Sequence, residues 1–206
     1  MAHAPFRLRS DFALISRWIR PGSRVLDLGC GDGSLLVYLR DHRGVSGYGL
    51  EIADHHIVQC MAAGVNVIQT DLDAGLHEFG SRQFDYVIMT QTLQAVRFPD
   101  RLMLEMLRIG REGIVTFPNF GHWKPRLHLA LRGVMPVTRA LPHQWYSTPN
   151  IHLCTLTDFE RLCHAKGIDV LQRAVVNIEH QEAPLMRIFA NLLGELAIYR
   201  LRLQSN

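Results

Sequence analysis

The stretch VLDLGCGDGSLL, Val25 to Leu36, constrains the fold more than any other part of the chain. An apolar run enters a cluster of glycines and leaves as a leucine-rich helix-forming segment, the pattern of a buried strand, a tight turn and a helix. Gly29, Gly31 and Gly33 supply three positions without a Cβ. At the carboxyl end of the first strand of an open α/β sheet, such a turn lets the backbone approach a ligand, and the next helix points its positive end at the same place. The spacing is GxGxG, with Ser34 where a dinucleotide fingerprint has its third glycine. Asp27 and Asp32 flank the turn, and acids there disfavour a pyrophosphate. They favour a phosphate-free ligand carrying positive charge. S-adenosylmethionine, with its sulfonium and ammonium groups, answers that description better than NAD(P).

Further acids fall on successive strand ends. Glu51, followed by Ile52, ends the second strand about twenty residues past the glycines, where a carboxylate accepts from both hydroxyls of a ribose. Asp71 ends the third strand and is placed to accept from an adenine amino group, with the N–H and apolar side chain of Leu72 beside it. Gln91 follows the fourth strand and faces the methionine part of the ligand. Asp27 is expected to anchor loop amides or to meet the cationic end through water, and Cys30 to present its backbone N–H. The cofactor set is therefore Asp27, Gly29, Cys30, Gly31, Gly33, Glu51, Ile52, Asp71, Leu72 and Gln91, binding S-adenosylmethionine or its demethylated product, S-adenosylhomocysteine.

The rest of the chain alternates short apolar runs with helical patterns. RVLDLG, VSGYGLE, VNVIQTDL, FDYVIMTQ and EGIVTFPN read as strands. Helices are expected over FALISRWI, SLLVYLRDHRG, HHIVQCMAAG (capped by Asp54, with Ile57, Val58 and Met61 inward) and PDRLMLEMLRIG. This is an α/β pattern, a parallel sheet with helices on both faces. In the last third, WKPRLHLALRG reads as an amphipathic helix with Trp123, Leu127, Ala130 and Leu131 on one side and Lys124, His128 and Arg132 on a basic side, a surface helix covering the sheet, against a competing reading in which it docks on a membrane or a partner protein. A Pro-punctuated segment follows, in which Trp145 and Tyr146 are expected to pin the loop to the domain, against a competing reading in which they form a substrate pocket under a lid with His122, His143 and His152. Thr155 and Asp158 form a capping box for DFERLCHAKG. IDVLQRAVVN comes next. ELAIYRLRL alternates as a late strand, against a competing helical reading.

The 206 residues suit one domain, 1–206. A net charge of +3 without a basic run does not indicate nucleic-acid binding. Cys30, Cys60, Cys154 and Cys163 fit neither a disulfide framework nor a CxxC site and read as small buried hydrophobes in a reducing compartment. The histidines lack metal-ligand spacing, so no metal is expected. No segment approaches about 20 consecutive apolar residues, and the first twenty residues lack a signal-peptide pattern, so a cytoplasmic protein is expected.

VLDLGCGDGSLL, YGLE, QTDLD and FDYVIMTQTLQAV resemble the class I methyltransferases. TQTLQAV, FPNFGHW, GVMPVTRALPHQWYSTPNIHLCT and DFERLC resemble the methionine biosynthesis MetW family more specifically, from about Ser10 to Asn177. The resemblance implies a seven-stranded, mostly parallel Rossmann-like sheet with one antiparallel C-terminal strand. It also implies a protein partner, homoserine O-acyltransferase of the O-acetyl- or O-succinyl-transferring kind. Residues 121–154 would then serve as a lid or partner surface. TQTLQAV carries neutral Gln91, Thr92 and Gln94 where several small-molecule methyltransferases carry an acid and a histidine, so no catalytic residue is assigned and the methyl acceptor stays open.

Overall fold

The buried run of the opening motif becomes β1 (Arg24–Leu28), and the glycine turn delivers the chain to α2 (Ser34–Arg43), behind the short α1 (Ser10–Trp18). The structure, a computed structural model, describes residues 10–138, 140–177, 186 and 188–204. β2 (Ser46–Glu51), α3 (Asp54–Ala62) and β3 (Val67–Gln69) follow, then β4 (Phe84–Thr90), α4 (Pro99–Ile109), β5 (Gly110–Pro118) and α5 (Trp123–Arg132). The chain closes with α6 (Leu156–Ala165), β6 (Ile168–Val176), one helical turn at Ala190–Leu193, and β7 (Leu196–Leu203).

The strands form one sheet in the order β3-β2-β1-β4-β5-β7-β6. β1 pairs in parallel with both β2 and β4, while β7 runs antiparallel between β5 and β6. The chain thus starts at the centre, builds outward to β3, and returns to the other side of β1. That reversal leaves a crevice at the carboxyl ends of β1 and β4, where open α/β sheets bind ligands.

Both sheet faces are buried, which is why β1 reads as a continuous apolar run. On one face, Phe12 and Ile15 of α1 and Leu35 and Leu39 of α2 pack with Tyr86, Ile114 and Ile198. On the other, Met103 and Met106 of α4 and Phe159 of α6 pack with Val87, Phe117 and Tyr199. Phe159 lies between Phe117 and Tyr199 with both ring centroids at 4.7 Å. The helix ends are set locally: Gly44 stops α2 at φ 61°, and Thr155 and Asp158 make the reciprocal capping box that starts α6.

Several local expectations are corrected. β3 is only three residues long, and α3 above it buries Cys60 alone, leaving Val58 and Met61 exposed. A short edge strand offers little surface for a helix to cover. Asp54 is the first residue of α3 rather than its cap, and its side chain accepts from Gln69 Nε2. ELAIYRLRL is a strand, but Leu196 to Tyr199 are buried on both faces and Leu203 is exposed, so the burial does not alternate. α5 buries only Pro125, while Trp123, Leu127 and Leu131 face solvent. With α1 and α2 on one sheet face and α4 and α6 on the other, no face is left for it. Trp145 and Tyr146 are each 73% exposed and pin nothing. Their loop is held instead by Leu141, which is buried, and by the N–H groups of Ile151 and His152, both donating to the Gln94 carbonyl.

Candidate functional site

The crevice is a cleft of about 670 Å³ at the carboxyl ends of β1, β2 and β4, a size within the range of about 300–1,000 Å³ common for small-molecule sites. Gly29, Cys30, Gly31, Glu51, Ile52, Asp71, Leu72 and Gln91 all line it. Asp27 and Gly33 do not. Asp27 is fully buried within β1, and Gly33 stands at the start of α2 with φ 76°, its Cα packed near Cys60 and Val65.

The turn is fixed by its own backbone. The N–H groups of Gly29 and Cys30 both donate to the Leu50 carbonyl, at 2.8 and 3.0 Å, so the Cys30 amide is engaged inside the fold rather than presented to a ligand. Asp32 accepts from Ser34 N and so supplies the first turn of α2. At Gly31, φ is 56° and an added Cβ would meet no protein atom within 4 Å, so it would project into unfilled space. At Gly29, by contrast, a Cβ would strike Thr92.

Glu51 is held more tightly than its position in the sequence indicates. Its Oε2 accepts from Gly31 N at 2.9 Å, and its Oε1 accepts from Ile52 N at 2.9 Å and Ala53 N at 3.0 Å. A carboxylate offers about four acceptor sites, so one remains for a hydroxyl donor. Burial pushes the Glu51 pKa up, but the three backbone donors outweigh it and hold the group below its ordinary value of 4.5, with His56 contributing. Asp71 accepts from Asp73 N and stands exposed at the cleft edge. Gln91 adopts φ 53°, a left-handed conformation rare for a residue with a side chain. Its N–H is bonded to both the carbonyl and the hydroxyl of the buried Thr116. Strain of this kind persists where the surroundings over-determine it, and it concentrates at ligand sites.

The electrostatics of the lining are one-sided. Asp32, Glu51, Asp71 and Asp73 line the cleft, and neither Lys nor Arg does so among the described residues. Such walls suit a cationic, phosphate-free ligand. Ile52 and Leu72 add apolar surface for a flat ring.

Cys30 and Cys60 lie beneath the turn with sulfurs 3.7 Å apart, and Cys60 donates to the Gly31 carbonyl. Burial pushes both thiols up, away from reactive thiolate. Cys154 and Cys163 are pushed up to about 12 for the same reason. Among the described residues, no group of three or more His, Cys, Asp or Glu could hold a metal, and no helix is long and apolar enough to cross a membrane.

Residues outside the expected cofactor set also belong to this edge. Phe12, His56, Thr92 and Pro149 line the cleft. Pro149 comes from beyond β5 and gave no local signal. Asn119, in the FPNFGHW motif, is a buried joint: its Nδ2 donates to the carbonyls of Asn191 and Gly194, and its Oδ1 accepts from Gly121 N. His122 and Glu195 pair at the same end of the sheet, 3.8 Å apart, and burial lowers the His122 pKa.

The strand order, the antiparallel β7 and the glycine turn define the class as a class I methyltransferase fold. An S-adenosylmethionine-dependent methyltransferase from Mesorhizobium loti superposes with a TM-score of 0.69 at 17% identity, covering 95% of this chain and 98% of that one. Phosphoethanolamine N-methyltransferase 2 of Haemonchus contortus, solved with phosphomonomethylethanolamine and S-adenosylhomocysteine, gives 0.68 at 14% identity, over 95% of this chain and 52% of that one. The chain belongs to the MetW family, whose model, methionine biosynthesis protein MetW, matches residues 9–201. The bifunctional methionine biosynthesis protein MetXA/MetW of Rhodopirellula baltica is 39% identical over 164 residues, 75% of this chain. That match spans 26% of the bifunctional protein, so this chain corresponds to about a quarter of its length.

Proposed function

We propose that this chain binds S-adenosylmethionine or S-adenosylhomocysteine in the β1–β4 cleft and adjusts the activity of a homoserine O-acyltransferase. The observation that carries the ligand is the cleft wall: four carboxylates, no Lys or Arg among the described residues, and open space at the Cα of Gly31. Glu51 would hold one ribose hydroxyl through its remaining acceptor position, Asp71 the adenine amino group, and Ile52 and Leu72 the ring faces, while the 29–33 backbone and Gln91 would flank the amino-acid end. The bound group would supply a methyl sulfonium. The chain's own part is to orient it and keep it from water.

The partnership is supported by membership of a methionine-biosynthesis family and by the relative whose name joins MetXA to MetW in one polypeptide. An acyltransferase that commits homoserine to methionine lies upstream of adenosylmethionine. A protein that binds both couples product level to entry flux, provided that the ligand binds the two states with different affinity. The test is acyltransferase turnover by the partner, alone and with this protein, across a saturating range of S-adenosylmethionine. Turnover that changes with the protein and then with the ligand is expected; turnover indifferent to the protein overturns the regulatory reading.

A second reading rests on a different observation. The solved structures that superpose on this chain include the Haemonchus contortus N-methyltransferase, held with the small molecule phosphomonomethylethanolamine. It favours an active methyltransferase on a small-molecule acceptor. His122 does not supply its base, because its Nδ1 accepts from Lys124 N, its Nε2 faces Glu195 and it does not line the cleft. Transfer of labelled methyl into a metabolite extract, lost in Gly31→Val, would establish that activity.

A further inference from the structure

Between Phe120 and Cys154 the chain leaves the sheet and returns to its starting point, the Phe120 N–H donating to the Cys154 carbonyl at 3.1 Å. Half of the large apolar side chains that stand exposed among the described residues lie on this excursion, from Trp123 to Leu153, which is about a seventh of the chain. They include Leu131 at 76% exposure and the Trp145–Tyr146 pair, whose rings meet edge to face at 5.7 Å. Isolated exposed hydrophobics need no explanation, but this concentration does.

The charge on the same stretch is equally uneven. From Gly113 to Thr157 the sequence contains no Asp or Glu, yet it contains Lys124, Arg126, Arg132 and Arg139. Arg126 and Arg132 are exposed on α5; Arg139 lies outside the described residues. Aromatic, Met and Arg side chains with few acids are the composition of interface centres. A second copy of this chain is a poor occupant, because a two-fold contact would set cation against cation. An anionic membrane is also a poor one: Lys124, His128 and Arg132 share one side of α5, but Lys124 is paired with Glu195 at 3.0 Å, which leaves fewer free cations than the roughly four to eight of a lipid-binding cluster. What fits is a protein surface that is apolar at its centre and acidic at its rim.

We propose that the 123–153 excursion is the docking surface for the homoserine O-acyltransferase, with the outer face of α5 and the Trp145–Tyr146 pair at its centre and Arg126 and Arg132 at its rim. The assignment rests on the partnership proposed above, and on the relative in which the counterpart of this chain shares a polypeptide with a larger remainder. Docking buries the side chains that the sheet leaves uncovered.

The test measures binding of the full chain to the acyltransferase of its own organism by calorimetry. Leu131→Glu and the double variant Trp145→Ala/Tyr146→Ala are each expected to weaken the complex by at least about 30-fold, the scale of interface hot spots. Val58→Glu, on exposed α3 at the opposite sheet edge, is expected to leave affinity within about 3-fold, as for a residue outside the contact. Thermal unfolding of all three confirms that they fold. A wild-type complex that both excursion variants leave intact overturns the surface and spares the partnership. No wild-type complex overturns both. Vesicles of phosphatidylglycerol and phosphatidylcholine form the last arm: wild-type binding lost in Leu131→Glu, with the protein complex unaffected, would reassign the face to membranes.

Discussion

The turn from Gly29 to Gly33 and the excursion from Phe120 to Cys154 sit at the same end of one sheet but are held differently. The turn is over-determined: two amides meet the Leu50 carbonyl, Glu51 ties Gly31, and the thiols of Cys30 and Cys60 fill the space below. The excursion is closed at its base, buries Pro125, Pro136 and Leu141, and leaves its aromatic residues in solvent. One region holds its shape through its own hydrogen bonds. The other is incomplete by itself, with its apolar area waiting for something to cover it.

The sharpest way to break this contrast is a matched pair of leucines. Leu28 in β1 is fully buried beneath the turn, and Leu28→Ala is expected to cost about 2–5 kcal/mol of stability, read by denaturant unfolding. Gly31→Val comes next. The added side chain enters the cleft rather than the protein, so calorimetric binding of S-adenosylhomocysteine should vanish while folding loses only the roughly 1–2 kcal/mol of a left-handed residue with a Cβ. Retained binding would place the ligand elsewhere. Glu51→Ala should weaken the same ligand by about 1–3 kcal/mol, the scale of buried partners left unpaired.

The Glu51 carboxylate also carries a pH signature. Its folded pKa lies below the ordinary 4.5, so its stabilisation is fully present above that value and is lost as pH falls through the folded value. In Glu51→Gln that part of the acid dependence should disappear from urea midpoints measured between pH 6 and the acid limb. An unchanged slope would mean that the three amides do not stabilise the charged form. The smallest effect completes the leucine pair: Leu131→Ala, at an exposed site, should change stability by less than about 0.5 kcal/mol.

The parallel half of the molecule was readable because its signals are local. A continuous apolar run marks a strand buried on two faces, and glycines mark where the backbone must take positive φ. Glu51 and Asp71 could be placed by their distance from the turn. What Glu51 does there was not readable, because its three amide partners depend on how β2 ends against the turn. The excursion misled for a physical reason. Aromatic residues in a long loop usually find a surface to cover, and whether one exists is decided by α1, α2, α4 and α6, which already occupy both sheet faces. Pro149 reaches the cleft from nearly sixty residues beyond Gln91, a contact with no trace in spacing or pattern.

That contact joins the two regions. Pro149 lines the cleft, and two and three residues later the amides of Ile151 and His152 hang on the carbonyl of Gln94, in the turn that contributes Thr92 and Val96 to the same wall. A few residues of backbone therefore serve as wall on one side and hinge-pin on the other. Thermodynamic reciprocity gives the consequence of the two proposed bindings: the factor by which a molecule in the cleft alters the affinity of the excursion for its partner is the factor by which that partner alters the affinity of the cleft. Any factor other than one makes the doubly occupied population depart from the product of the two separate occupancies.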